Sequence, residues 1–125
     1  MLCYTLNMVC RKFFGGGNDM QDKPCFVYIT ADRQEDVDKI EEALLNEKLA
    51  ACVSVIQGVK SSYWWNGTIE KAEEKLMMIS TKEALVPEIT ERVKELHSYE
   101  VPEVACVEIK NGNSNYIKWI MENTK

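Results

Sequence analysis

Chemistry in this 125-residue chain concentrates in two short runs, His97-Ser98-Tyr99-Glu100-Val101-Pro102-Glu103 and Tyr63-Trp64-Trp65-Asn66-Gly67-Thr68-Ile69-Glu70. His97 is the single histidine. Imidazole is a common ligand for copper and zinc, so His97 is the candidate metal residue, with Glu100 or Glu103 as partners. A lone histidine at a helix end is more often structural, because its cation favours the C-terminal dipole. Glu70, Glu73, Glu74, Glu100 and Glu103 form an acidic set. On an exposed hairpin edge such charges mainly discourage aggregation. Glu100 and Glu103 also flank Val101-Pro102, a rigid strand entry. There they are expected to line a cleft with Tyr63, Trp64, Glu70, Lys82 and Tyr99, since aromatic walls with a few charges describe a small-ligand pocket. For the aromatics the plainer reading is interface packing.

Several chemistries are absent. No HExxH, GxSxG or Ser–His–Asp spacing occurs, and Gly15-Gly16-Gly17 lacks the Lys-Ser/Thr of a phosphate loop. The reading is therefore non-enzymatic, with no organic cofactor. A net charge of -5 speaks against nucleic acid, and no apolar run approaches a membrane span. The cysteines Cys3, Cys10, Cys25, Cys52 and Cys106 are odd in number and form no CxxC pair. A reduced, cytoplasmic protein is expected, with Cys52 and Cys106 packed in strands as small hydrophobes.

The elements that must position these residues can be read in order. Residues 1–22 carry a triple glycine and an internal Met20, and read as a disordered N-terminal extension; residues 23–125 form one domain. Cys25 to Ala31 is a near-continuous apolar run, as in a central strand. Asp32 with Glu35 suggests a capping box for a helix running to about Lys48, with Val37, Ile40 and Leu44 inward. Leu49 to Trp65 returns as a strand with a bulge or bend at Gly58. Asn66-Gly67 fits a type I′ turn, so Thr68 to Thr81 pairs back as a long hairpin despite the charged, helix-like stretch Glu70 to Lys75. Pro87 starts a second helix with Val86, Ile89, Val93 and Leu96 inward and a Glu88–Arg92 pair outward. Val101 to Ile109 is a fourth strand, and Tyr116 to Ile120 a short terminal helix. The order β-α-β-β-α-β implies an α+β, ferredoxin-like fold with helices on one face of an antiparallel sheet. The other face is also apolar, which implies a homo-oligomer.

Three ordered blocks, Leu49-Ala50-Ala51-Cys52-Val53, Tyr63 to Glu70 and His97 to Glu103, resemble signatures of the CutA family of divalent-cation tolerance proteins. The resemblance implies a ferredoxin-like homotrimer joined through the long hairpin, no established enzymatic activity, and binding of divalent cations such as copper or zinc. Ile29 and Leu96 stand where some members carry a cysteine or a second histidine, which leaves His97 as the retained ligand. An alternative is a signalling or scaffolding module like the PII proteins, taking a small ligand or protein partner in intersubunit clefts.

Overall fold

The computed structural model describes residues 23–125; the expected N-terminal extension, residues 1–22, lies outside the described residues. Four strands and three helices follow in the order β1 (Pro24–Ala31), α1 (Gln34–Asn46), β2 (Cys52–Trp65), β3 (Thr68–Lys82), α2 (Val86–Leu96), β4 (Ala105–Glu108) and α3 (Ser114–Glu122), with a 3-10 turn at Glu83–Leu85 before α2. The strands form one antiparallel sheet in the order β2-β3-β1-β4.

Alternation along β1 sets the two faces. Cys25, Val27, Ile29 and Ala31 are fully buried, while Phe26, Tyr28 and Thr30 between them are only half-buried. The register places Val27 opposite Ile79 and Ile29 opposite Met77, so these residues share the face that meets the helices. Val37, Ile40 and Leu44 of α1 and Ile89 and Val93 of α2 close that core. The short α3 sits on the opposite face, where Tyr116 and Ser80 hydroxyls hydrogen-bond at 2.8 Å and Ile120 is buried.

The long hairpin forms as its turn residues require. Asn66 and Gly67 both have positive φ, 51° and 82°, as a type I′ turn demands. Glu70 to Lys75 is strand, not helix, because Ser61, Ser62 and Tyr63 pair with it residue for residue. Gly58, at φ 75°, lies in a bulge where Gln57 and Gly58 together oppose the space of one residue on β3: Ile56 pairs with Leu76, but Val59 pairs with Glu74. The alternation of β2 is thereby shifted by one position. β1 reaches only as far as Lys75 on β3, so the hairpin beyond the bulge is a two-stranded ribbon.

Several local expectations are corrected. Arg33, not Asp32, occupies the N-cap of α1, and no side chain caps it; Glu35 pairs with Arg33 instead of reaching back. That helix ends at Asn46 rather than near Lys48, since Lys48 turns into the left-handed region at φ 61°. The Glu88–Arg92 pair is replaced by longer-range partners: Arg92 bonds Glu47 and Glu95, while Glu88 meets Lys125. β4 is four residues long, not the whole of Val101 to Ile109, because Val101 is drawn into the loop beside the hairpin and pairing begins at Ala105. Cys106 is exposed and Cys52 half-buried, so neither is the sealed core thiol expected of a central strand; both lie on the sheet's outer strands.

Candidate functional site

The His97–Glu103 segment is held to the sheet by a buried polar latch. Asp36 in the first turn of α1 is 2% exposed and accepts from both the Ser98 hydroxyl at 2.5 Å and the Ser98 backbone N–H at 3.1 Å. Burial opposes ionisation of Asp36. The two Ser98 bonds, aided by nearby Arg33, outweigh it and hold the carboxyl below the usual carboxylate range. His97 lies beside it, 8% exposed. Its Nδ1 accepts from the Tyr99 backbone N–H at 3.1 Å, which leaves Nε2–H to donate to the Thr30 carbonyl at 2.7 Å. This pattern specifies the neutral Nε2–H tautomer.

The latch delivers Tyr99 onto the hairpin. Its hydroxyl donates to Glu74 Oε2 at 2.6 Å, and the ring lies 4.5 Å from that of His97. Burial first, then the Glu74 carboxylate, push the Tyr99 phenol well above its ordinary pKa, so it stays a donor. Glu74 is itself 6% exposed, a carboxylate sealed against the outer sheet face by this one phenol. Glu103 is tied down by the Thr30 hydroxyl at 3.2 Å.

Together these groups enclose a cleft of about 530 Å³ between the hairpin and the loop. Tyr63, Trp65, Tyr99 and Val101 supply its apolar walls; Glu74, Glu100 and Glu103 supply its charge; Thr30, Ser61 and Ser62 complete it. Every charged lining residue is acidic. Of the residues expected at such a cleft, Tyr63, Tyr99, Glu100 and Glu103 are brought together, whereas Trp64, Glu70 and Lys82 are not among its lining. Trp64 projects from the other side of the ribbon, 71% exposed. Glu70 accepts from Thr68 beside the turn. Lys82 lies at the far end of β3, donating to the Lys125 carbonyl at 3.1 Å. His97 stands behind the cleft wall, both nitrogens engaged. Trp65 and Glu74, read in the sequence only as a hairpin aromatic and as one of an acidic set, join Thr30, Ser61, Ser62 and Val101 as lining that the cleft expectation did not include. The one-residue shift at Gly58 was the signal for Trp65: beyond it, odd-numbered residues of β2 share a face with Glu74.

A copper or zinc centre at His97 can be tested against these contacts. Both ring nitrogens already have protein partners, and among the described residues no three His, Cys, Asp or Glu side chains converge to hold a metal ion. The residues of one chain do not fit such a centre.

Fold and cleft define a small α+β protein: a four-stranded antiparallel sheet under two helices, a projecting hairpin, and an aromatic, acidic cleft along the hairpin from Glu74 to Trp65. The model of the family described as CutA1 divalent ion tolerance protein matches residues 25–123. The chain belongs to that family. A divalent-cation tolerance protein CutA from Thermus thermophilus is 41% identical over 98 residues, covering 78% of this chain and 95% of the relative. Protein CutA 1, chloroplastic, from Oryza sativa is 40% identical over 99 residues, covering 79% of this chain. This chain spans 56% of that rice protein's length and 54% of its Arabidopsis thaliana counterpart's. The crystal structure of CutA1 from Oryza sativa superposes with a TM-score of 0.79 at 38% identity, covering 85% of this chain and 97% of the other.

Proposed function

We propose that the chain works as a non-enzymatic, homotrimeric, ferredoxin-like divalent-cation tolerance protein of the cytoplasm. Assembly is supported by the outer sheet face and ribbon, which leave Ile56, Trp64, Ile69 and Val107 between 48% and 71% exposed in a single chain. Soluble proteins rarely leave so much apolar surface uncovered, and closed rotational symmetry is the common solution. The observation that carries the cation reading is the acidic lining of the cleft on that same face, whose carboxylates do not converge on one ion among the described residues of a single chain. Copper and zinc by imidazole do not fit it. Oxygen donors suit harder cations, and a neighbouring chain across the cleft would complete their coordination.

Sedimentation of the full chain is expected to give a mass of three chains; a stable monomer overturns the assembly. Calorimetric titration with copper, zinc and manganese is expected to show heat that Glu100→Gln or Glu103→Gln removes and His97→Ala does not. Absence of heat with every divalent ion overturns the cation reading. It would favour a second one that the cleft's size and aromatic walls support: a PII-like module that takes a small ligand or partner segment between subunits.

A further inference from the structure

The cleft of about 530 Å³ has a long wall rather than a single focus. Ser61, Tyr63 and Trp65 line it from alternate positions of β2, so that wall runs about 13 Å along the ribbon at ~3.3 Å per residue. Glu74 marks its inner end, where it pairs across the ribbon with Val59, and Glu100 and Glu103 lie on the loop after α2. Glu74 is 6% exposed, and its Oε2 accepts from the Tyr99 phenol. Among the described residues no donor reaches its Oε1. A buried carboxylate oxygen without a donor is costly, so this atom is set to receive one from a ligand. No basic residue lines the cleft, and its carboxylates do not gather around one point among the described residues.

We propose that the cleft takes a linear aliphatic polyamine, a chain of ammonium groups separated by methylenes. This rests on the reading of the cleft as a cation site and names an organic cation as its occupant. Separated carboxylates serve a compact ion poorly, whereas ammonium groups spaced along a chain can each meet a carboxylate of their own. An ammonium N–H at the inner end donates to Glu74 Oε1 and completes that buried group. A quaternary ammonium has no N–H and leaves the same oxygen without a donor. The methylenes lie against Tyr63, Trp65, Tyr99 and Val101, and the rings also attract the cations through their faces. A guanidinium carries its charge at one centre and leaves the remaining carboxylates without a partner. Glu100 and Glu103, both exposed, hold the outer charges of the chain.

The test is calorimetric titration of the full chain with the triamine spermidine, beside butylamine as a single-charge analogue and manganese as an inorganic cation. One spermidine per chain is expected, bound at least about 10-fold more tightly than butylamine, because a second charged hydrogen bond is made. Glu74→Gln and Glu100→Gln should each weaken it about 10-fold or more. Trp65→Leu should weaken it by roughly 2- to 30-fold, the range of cation–π contacts, with Tyr63→Leu as the second variant should the first disturb the fold. Glu73→Gln makes the same charge change on the opposite face of the ribbon, where Glu73 pairs with Lys60, and should leave binding unchanged. Absence of spermidine heat overturns the proposal, as does butylamine binding of equal strength. A loss in Glu73→Gln equal to that in Glu100→Gln reduces the effect to diffuse attraction and overturns it too. Manganese heat without spermidine heat overturns the polyamine and leaves the inorganic cation reading standing. Spermidine heat without manganese heat supports the polyamine and removes that reading.

Discussion

The two faces of this sheet are built from the same strands yet obey different rules. Toward the helices, Val27, Ile29, Met77 and Ile79 are fully buried by α1 and α2. On the outer face the register aligns Phe26 with Ser80, Tyr28 with Met78, and Ile56 with Leu76, and of these six a single chain buries only Ser80, under the terminal helix. The helix face gains its stability within the chain. The outer face keeps apolar surface, buried carboxylate and cleft in one place, which marks it as the side where the molecule meets something else.

The contrast can be probed by substitution. Ile29→Ala, on the sealed face, is expected to cost about 2–5 kcal/mol in denaturant unfolding, since its neighbours cannot collapse into the void. A loss below about 1 kcal/mol would erase the difference between the faces. Asp36→Asn is expected to cost about 1.5–3 kcal/mol at pH 7, because it weakens two bonds from Ser98 to a buried anion. The sign of its pH dependence follows from the lowered carboxyl pKa. Its stabilisation is complete above the ordinary aspartate value near ~3.9 and vanishes as pH falls through the lower folded value, so the two proteins should converge in acid. A pH-independent gap would contradict the latch. Tyr99→Phe should cost about 1–3 kcal/mol by leaving Glu74 without its phenol donor, and should change near-ultraviolet dichroism of the cleft aromatics while the helix signal stays. Smallest is Arg92→Ala on the exterior of α2, at no more than about 1 kcal/mol, because surface ion pairs contribute little.

Much of this was legible in the residues, unevenly. Element order, the Asn66-Gly67 turn and the strand character of Glu70 to Lys75 follow from local turn chemistry and pairing. The cleft was half legible. Tyr99, Glu100 and Glu103 travel together on one loop, but Trp65 against Trp64 depends on counting through a bulge, and Glu74 depends on which phenol reaches it. Helix caps failed for the same reason: Asp32 offers its backbone carbonyl to Lys75 at 2.8 Å, a partner 43 residues away, and Arg33 takes the cap. Contacts between distant segments have no signature in a local pattern. Thus His97 reads as a ligand in sequence and as a strut in three dimensions, joining Thr30 to Tyr99.

The bulge at Gly58 has a mechanical consequence. It lies where β1 stops pairing with β3, so a four-strand plate becomes a two-strand ribbon at that point. β2 alone has 14 residues, about 45 Å at ~3.3 Å per residue, and roughly half lies beyond the bulge. A lone two-stranded ribbon is marginal in water and twists more strongly than a broad sheet. The hairpin is therefore a cantilever with its pivot beside the cleft. Whatever grips Trp64 at the free end applies its torque at Glu74, and amide exchange should slow along the arm from tip to pivot once the tip is held.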